Sequence, residues 1–180
     1  MNILSIRLWF NMDVKMRCSL LFTVFSLVLF QKGNSECNNI CPVGWTRFQG
    51  SCYFVGFQQL LSFVESAHFC KQHNSHLIHV DNALENTFIK DYLHKTNAGR
   101  SWLGMSDMDI EGIWRWYDNN EIVSFTDWYP GQPDKGDNED CATFAEYHSD
   151  HAYLWEDYPC DRKHHPVCEI NVCTETEIIG

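Results

Sequence analysis

The sequence predicts a single α+β domain held together by disulfide bonds, and three observations support this prediction. Of the 180 residues, 44% are hydrophobic and 14% are aromatic, which is enough for one packed core and excludes a disordered chain. Nine cysteines indicate an oxidising compartment. Two segments carry helix-capping signals, and the remainder contains short apolar runs typical of strands.

The N-terminal segment has the organisation of a secretory signal peptide. Lys15 and Arg17 precede an uncharged apolar run over 18–30, and small residues follow it at the expected cleavage point. That run is too short to cross about 30 Å of hydrocarbon as a helix, so a membrane anchor is not favoured. We therefore predict that residues 1–35 are removed and that residues 36–180 form one secreted domain.

Two capping boxes predict two helices. The first box, Ser62–Glu65, begins a helix that ends near His73, and the second, Asn82–Glu85, begins a helix that ends before Gly99. Apolar side chains recur at helical spacing within both segments. They are Phe63, Ala67, Cys70, Leu84, Phe88, Ile89 and Leu93.

Short runs bounded by turn residues predict eight strands. Their bounds are 45–48, 52–56, 77–80, 101–104, 113–117, 141–144, 153–155 and 167–170. Between 107 and 140 the chain is rich in Asp, Asn, Gly and Pro, and an irregular segment of this length is usually functional. The tryptophans in and around these runs are expected to pack in the core and loops. They are Trp102, Trp114, Trp116, Trp128 and Trp155.

The charge is strongly acidic, with 13 basic and 24 acidic residues and a formal net charge of −11. Such a chain repels nucleic acids and anionic membranes and favours cations. Between 134 and 161 nine carboxylates accompany one cation, Lys135. They are Asp134, Asp137, Glu139, Asp140, Glu146, Asp150, Glu156, Asp157 and Asp161.

An acidic stretch of this kind is commonly no more than a solvated loop. Here the acids alternate with Cys, Trp and Pro, which restrict the backbone, and carboxylates held close together repel one another. A bound cation would relieve that repulsion. Calcium is the expected ion, because it takes six to eight oxygen ligands.

Other kinds of site have weaker support. His73, His76 and His79 recur every third residue and could bind zinc, but a helix end followed by a strand is expected to separate them. The cysteines lack the Cys-x-x-Cys spacing of zinc sites, and eight remain after cleavage, which allows about 105 pairings. No Gly-x-Ser-x-Gly, His-Glu-x-x-His or phosphate-binding loop occurs, so the sequence does not predict an enzyme.

Several ordered motifs resemble those of the C-type lectin domain family, in its long form. They are Cys41-Pro-Val-Gly-Trp45, Cys52-Tyr-Phe54, Trp102-Leu-Gly-Met105, Trp128-Tyr-Pro-Gly-Gln-Pro-Asp134, Glu139-Asp-Cys141, Trp155-Glu-Asp157, Cys160 and Pro166-Val-Cys168-Glu169. The resemblance covers about 41–170, the expected domain core, and within the family it is strongest to perlucin and the perlucin-like lectins of molluscs. It implies the C-type lectin fold, with two helices, small antiparallel sheets and a long calcium-binding loop region.

The resemblance also implies a disulfide framework. The implied pairs are Cys41–Cys52, Cys70–Cys168 and Cys141–Cys160. Cys37 and Cys173 are left on either side of the domain. They could form a fourth internal bridge, or they could link two chains into a homo-oligomer.

By the same resemblance, one set of side chains would surround a principal calcium ion. These are Gln132, Asp134, Glu139, Glu156 and Asp157, of which the first four would also contact sugar, and Pro133 would follow a cis peptide bond. A second calcium site would use Asp107, Glu111 and Asp140, although Lys135 stands where the family has another acid.

The order Gln132-Pro133-Asp134 accompanies a galactose-type preference in the family. Two departures leave mannose open as a ligand: Glu156 replaces an amide, and no aromatic residue follows Asp134 closely. The predicted function is therefore secreted, calcium-dependent binding of glycans on cell or microbial surfaces. The alternative is a domain of the same fold whose acidic face binds protein or calcium carbonate. A role in innate immunity and a role in shell assembly both stay open.

Overall fold

Two helices and eight strands make up the regular structure of residues 40–134, 136–147 and 152–172, the part of the chain that the computed structural model describes. All of these residues belong to one unit, Asn38–Gly180. The predicted signal peptide, Cys37 and Cys173 lie outside the described residues. None of the helices in the described part is both long and apolar enough to cross a bilayer.

The α+β prediction is confirmed element by element. In chain order the elements are β1 Thr46–Phe48, β2 Ser51–Val55, α1 Phe63–Gln72, β3 His76–Leu77, α2 Ala83–Thr96, β4 Ser101–Ser106, β5 Arg115–Trp116, a 3₁₀ turn Gly136–Asn138, β6 Cys141–Tyr147, β7 Ala152–Tyr158 and β8 His165–Asn171. β6 and β7 extend beyond their predicted bounds because they pair with each other along their whole length. β3 and β5 are shorter than predicted.

Of the two predicted capping boxes, the structure contains the first in full and the second only in part. Ser62 and Glu65 form the complete capping box at the start of α1. At α2, Asn82 caps the backbone N–H groups of Leu84 and Glu85, but the Glu85 carboxylate accepts from the Asp81 N–H and the Tyr53 hydroxyl. The predicted second box is therefore only half correct. Leu84 is 61% exposed, so it does not belong to the buried face of α2.

The strands form a sheet in the order β1-β2-β8-β4-β6-β7, with β3 beside β8 and β5 beside β4. β4 and β8 run parallel, and the other pairs are antiparallel. β8 therefore joins the β1-β2 hairpin near the domain termini to the β4-β6-β7 half. The long irregular segment between β5 and β6 belongs to that second half.

The core is rich in aromatic side chains, and three disulfides between described residues connect its parts. Trp102, Trp116 and Trp155 are buried, Trp114 is almost fully buried, and Trp128 packs against the core, as predicted for all five. The disulfides are the pairs that the family resemblance implied, Cys41–Cys52, Cys70–Cys168 and Cys141–Cys160. They connect β2 to the preceding segment, α1 to β8, and β6 to the turn after β7.

Gly104 allows three segments to meet in the middle of β4. Its N–H donates to the Ile78 carbonyl, and its own carbonyl accepts from the Tyr117 N–H, both at 2.9 Å. A Cβ at this position would lie 2.6 Å from the Leu77 carbonyl oxygen and 2.7 Å from that of Ile78. Only glycine fits here without displacing backbone, and the contact brings the segment after β3 close to the segment after β5.

Candidate functional site

The long loop is anchored on β7 before it reaches the acidic residues. The Trp155 N–H donates to the Asp127 carbonyl at 3.1 Å, and the Tyr129 N–H donates to the Trp155 carbonyl at 2.8 Å. The Asp127 carboxylate accepts from the Asn86 amide and pairs with Lys90, both on α2, at 2.7 Å. Asp127 and Tyr129 are thus hydrogen-bonded to β7, and Asp127 also to α2. The loop residues that follow Tyr129 therefore begin beside β7.

Three of the predicted calcium ligands meet there, and we call them the principal cluster: Asp134, Glu139 and Asp157. One carboxylate oxygen from each lies within 4.8 Å of the other two. The backbone N–H of Asp134 also donates to Asp157 Oδ2 at 3.0 Å, which ties the loop to the strand. Calcium–oxygen bonds of 2.3–2.6 Å place two ligands of one ion at most about 5 Å apart, so the cluster has the dimensions of a calcium site.

Gln132, the fourth predicted ligand, precedes the principal cluster in the chain. Its peptide bond to Pro133 is cis, as the resemblance implied. Its amide oxygen is buried and meets no hydrogen-bond donor among the described residues. A buried acceptor of this kind is costly unless a cation or a water molecule satisfies it. Amide and carboxylate oxygens are both ligands that calcium accepts, so the chemistry of Gln132 fits that of the principal cluster.

Glu156, the fifth predicted ligand, is engaged elsewhere. Neighbouring residues of a strand point to opposite faces, and Glu156 is directed away from the face that carries Asp157. Its carboxylate contacts the Arg100 guanidinium and accepts from the Tyr147 hydroxyl at 2.5 Å. The structure therefore does not place Glu156 in the principal cluster, and its role as a ligand stays a prediction.

A second cluster contains the other predicted acids, Asp107, Glu111 and Asp140, again with oxygens within 4.8 Å of one another. Asp107 is buried, its N–H donates to the Asp140 carbonyl at 3.2 Å, and its Oδ2 accepts from the Gly112 N–H. Its Oδ1 is buried without a donor among the described residues. Burial, together with the charges of Asp140 and Asp157, raises the pKa of Asp107. A nearby cation would reverse that shift.

The histidines correct one expectation. His76 and His79 were expected to lie apart, yet their rings are 4.3 Å apart, and both belong to a group with Asp118 that could hold a metal ion. His73 does not join them and packs against Phe69 on α1. Gly104 brings the segments around residues 78 and 117 together, which places Asp118 beside His79, and local spacing does not reveal this contact.

Two features of the site were not found from the sequence. Arg100 pairs with Glu156 and also lies over the Tyr158 ring, 4.3 Å from its centre. Tyr129 and Tyr147 stack with ring centres 4.0 Å apart and nearly parallel planes, and the Tyr147 hydroxyl bonds to Glu156. Tyr129 lies inside a recognised motif, but no sequence pattern relates it to Tyr147 or relates Arg100 to Glu156.

Comparisons with known proteins agree with this architecture. A family model described as "Lectin C-type domain" matches residues 59–170. Perlucin of Haliotis laevigata is 37% identical over 131 residues, covering 72% of this chain and 82% of perlucin. This match confirms the predicted resemblance to perlucin.

Two further proteins match. C-type lectin domain family 10 member A of Homo sapiens is 37% identical over 136 residues, but the match spans only 40% of that longer protein and 72% of this chain. The carbohydrate-recognition domain of the mouse scavenger receptor C-type lectin superposes with a TM-score of 0.64 at 29% identity. That match covers 74% of this chain and 100% of the mouse domain.

Proposed function

We propose that this chain, which belongs to the C-type lectin domain family, is a secreted protein that binds carbohydrate through calcium. The observation that carries the proposal is the principal cluster, in which three carboxylates converge within a family of carbohydrate-binding proteins. The predicted signal peptide and the three disulfides support secretion, because disulfides persist in oxidising compartments. The family is a lectin family, and we propose no catalytic activity.

In this proposal Asp134, Glu139 and Asp157 supply the charged calcium ligands, and Gln132 supplies an amide oxygen. Calcium would neutralise the carboxylates and accept oxygen ligands from a sugar. The same side chains would pair with the sugar hydroxyls, because a carboxylate accepts a hydroxyl hydrogen and an amide N–H donates to a hydroxyl oxygen. The hydrogen bond from the Asp134 N–H to Asp157 holds the loop acid in register with the strand acid.

Calcium binding and sugar binding should therefore both depend on Asp157. Asp157→Asn should lower calcium affinity, which calorimetry measures. It should also abolish retention on a galactose resin, from which chelator should elute the wild-type protein. Asp109→Asn is the matched control, because Asp109 is exposed and lies outside both clusters. Sugar binding that persists in chelator would contradict the proposal. Retention on calcium carbonate that free sugar does not reverse would instead support the mineral-binding alternative.

The order of amide and acid supports a galactose-type preference. Gln132 precedes Asp134, and exchanging them in Gln132→Glu/Asp134→Asn should shift binding from galactose towards mannose. A mismatched hydroxyl leaves polar groups unpaired at about 1–3 kcal/mol, roughly ten- to a hundred-fold in affinity. A glycan array with and without chelator measures this shift. Equal binding of both sugars before and after the exchange would show that this pair does not determine preference.

The second cluster supports a second calcium ion, held by Asp107, Glu111 and Asp140. Calorimetry should then give two calcium ions per chain. Glu111→Gln should remove one of them and leave galactose binding in place, because Glu111 does not belong to the principal cluster. A stoichiometry of one that Glu111→Gln does not change would exclude the second ion.

A further inference from the structure

We propose that His76, His79 and Asp118 form a binding site for a transition-metal ion of the zinc class, separate from the calcium clusters. One ligand atom from each of the three side chains lies within 4.8 Å of the other two. The three residues are distinct from those of both acidic clusters. Two segments far apart in the chain therefore supply a set of potential ligands that the lectin function does not use.

The chemistry of the donors favours zinc over calcium. Calcium takes oxygen ligands, whereas two imidazole nitrogens and one carboxylate oxygen form a common zinc set. His79 Nε2 and Asp118 Oδ1 are 2.6 Å apart in a hydrogen bond, and a metal ion would replace the shared proton between these two atoms. With zinc–ligand bonds of about 2.0–2.2 Å, the two atoms would separate by less than 1 Å to reach tetrahedral spacing.

The contacts around the histidines hold the two rings in place, as the hydrogen-bond partners of ligands do in metal sites. His76 Nδ1 lies 2.9 Å from the Leu77 carbonyl, and donation there leaves Nε2 as the metal-binding nitrogen. The His79 ring stacks on Trp116, with centres 4.4 Å apart and planes 12° apart. The His79 backbone N–H donates to Glu169 at 3.1 Å. The backbone of this segment is held by Gly104, so the ligands do not depend on a loose loop.

The site is also open to an ion from solvent. His76 and Asp118 line a cleft of about 930 Å³ that runs along α1 and β8. The Asp118 side chain is 37% exposed, whereas that of His79 is 13% exposed. Three protein ligands with one side facing the cleft leave a fourth tetrahedral position for water or for a ligand group. The site is therefore accessible and already close to its metal-bound geometry.

The test measures zinc binding directly in the disulfide-bonded secreted protein, with calcium at saturation so that the acidic clusters are occupied. Isothermal titration with zinc chloride should give one ion per chain. His76→Gln and Asp118→Asn should each weaken zinc binding at least about tenfold, since even the loss of a hydrogen-bond partner of a zinc ligand costs about 10- to 100-fold. His94→Gln is the matched control, because His94 is an exposed histidine on α2 outside the group, and it should bind zinc as the wild type does.

Two further measurements make the outcome decisive. Galactose binding and melting temperature in calcium establish that each variant is folded, independently of zinc. Cobalt(II) added in place of zinc should produce the visible absorption of a four-coordinate site, and His76→Gln should abolish it. Wild-type protein that binds no zinc in calcium would overturn the proposal. Variants at 76 and 118 that bind as tightly as wild type would also overturn it.

Discussion

The helix-and-sheet scaffold and the loop between β5 and β6 are stabilised in different ways. In the scaffold, apolar side chains fill the interior and three disulfides tie its parts together. The described part of the loop contains only one short 3₁₀ turn. It brings Asp134 and Glu139 to Asp157 on β7, and Asp140 to the two acids between β4 and β5, Asp107 and Glu111. Gln132 Oε1 in this loop is buried and meets no donor within the described residues, and the same holds for Asp107 Oδ1 after β4.

Stability therefore comes mainly from the scaffold, whereas the proposed calcium ligands are concentrated in and around the loop. The scaffold buries apolar area and needs nothing from solution, whereas the loop concentrates like charges that a cation would stabilise. Changes in the scaffold should lower the free energy of unfolding and leave calcium affinity unchanged. Changes at the clusters should instead make the free energy of unfolding less dependent on the calcium concentration.

Calcium removal is expected to have the broadest effect, because it should lower stability and abolish sugar binding together. Calcium at a hundred times its dissociation constant adds about 2.7 kcal/mol to the free energy of unfolding, so chelator should lower the melting temperature and abolish sugar binding. Amide hydrogen exchange should show lost protection over 107–140 and retained protection in β2 and β8. In Asp157→Asn, chelator should have a much smaller effect. Uniform loss of protection in both regions would break the distinction between them.

A scaffold change of similar size is Gly104→Ala. The added Cβ would meet two carbonyl oxygens below 3.0 Å, and backbone cannot move aside easily, so we expect a loss of about 3 kcal/mol by chemical denaturation. Gly99→Ala is the control, since its Cβ meets nothing within 4 Å and only its positive φ of 61° is unfavourable, at about 1 kcal/mol. Equal losses would show that the close approach at Gly104 is unimportant.

The scaffold should also be sensitive to acid through His164. Burial, with the charge of Arg100, lowers the pKa of His164 to about 4 from its ordinary 6.5, so the folded state favours the neutral ring. The contribution of the neutral His164 ring to the free energy of unfolding is complete above pH 6.5. It is lost as the pH falls towards 4, and the loss amounts to about 3 kcal/mol at most. His164→Phe keeps an aromatic ring against Trp102 and cannot titrate. The difference in unfolding free energy between the two proteins should therefore change across this window, and a constant difference would contradict the prediction.

The smallest expected effect is that of Ser62→Ala at the start of α1. Removing the N-cap acceptor should cost about 1 kcal/mol in urea denaturation. Calcium affinity by calorimetry should stay unchanged, because the cap belongs to the scaffold. Asn82→Ala, which removes the cap of α2, should lose a similar amount. A change in calcium affinity with either variant would show that the two regions are coupled.

Much of the scaffold could be predicted from the sequence because its signals are local. Ser62 and Glu65 lie one helical turn apart, and a capping box needs only that turn. The disulfides and the cis bond at Pro133 were available through family motifs and not from spacing. Three acids of the principal cluster could be named in advance, because the same motifs contain them.

Signals in the sequence were sufficient to predict the fold class, the helix starts and the residues of the acidic clusters. The positions of two other side chains depend on tertiary contacts. Glu156 contacts Arg100 because strand alternation directs it away from Asp157. His79 meets Asp118 because Gly104 lets two backbone segments approach each other. The Arg100–Glu156 and His79–Asp118 contacts each join segments far apart in the chain, and such contacts leave no periodic pattern in a single sequence.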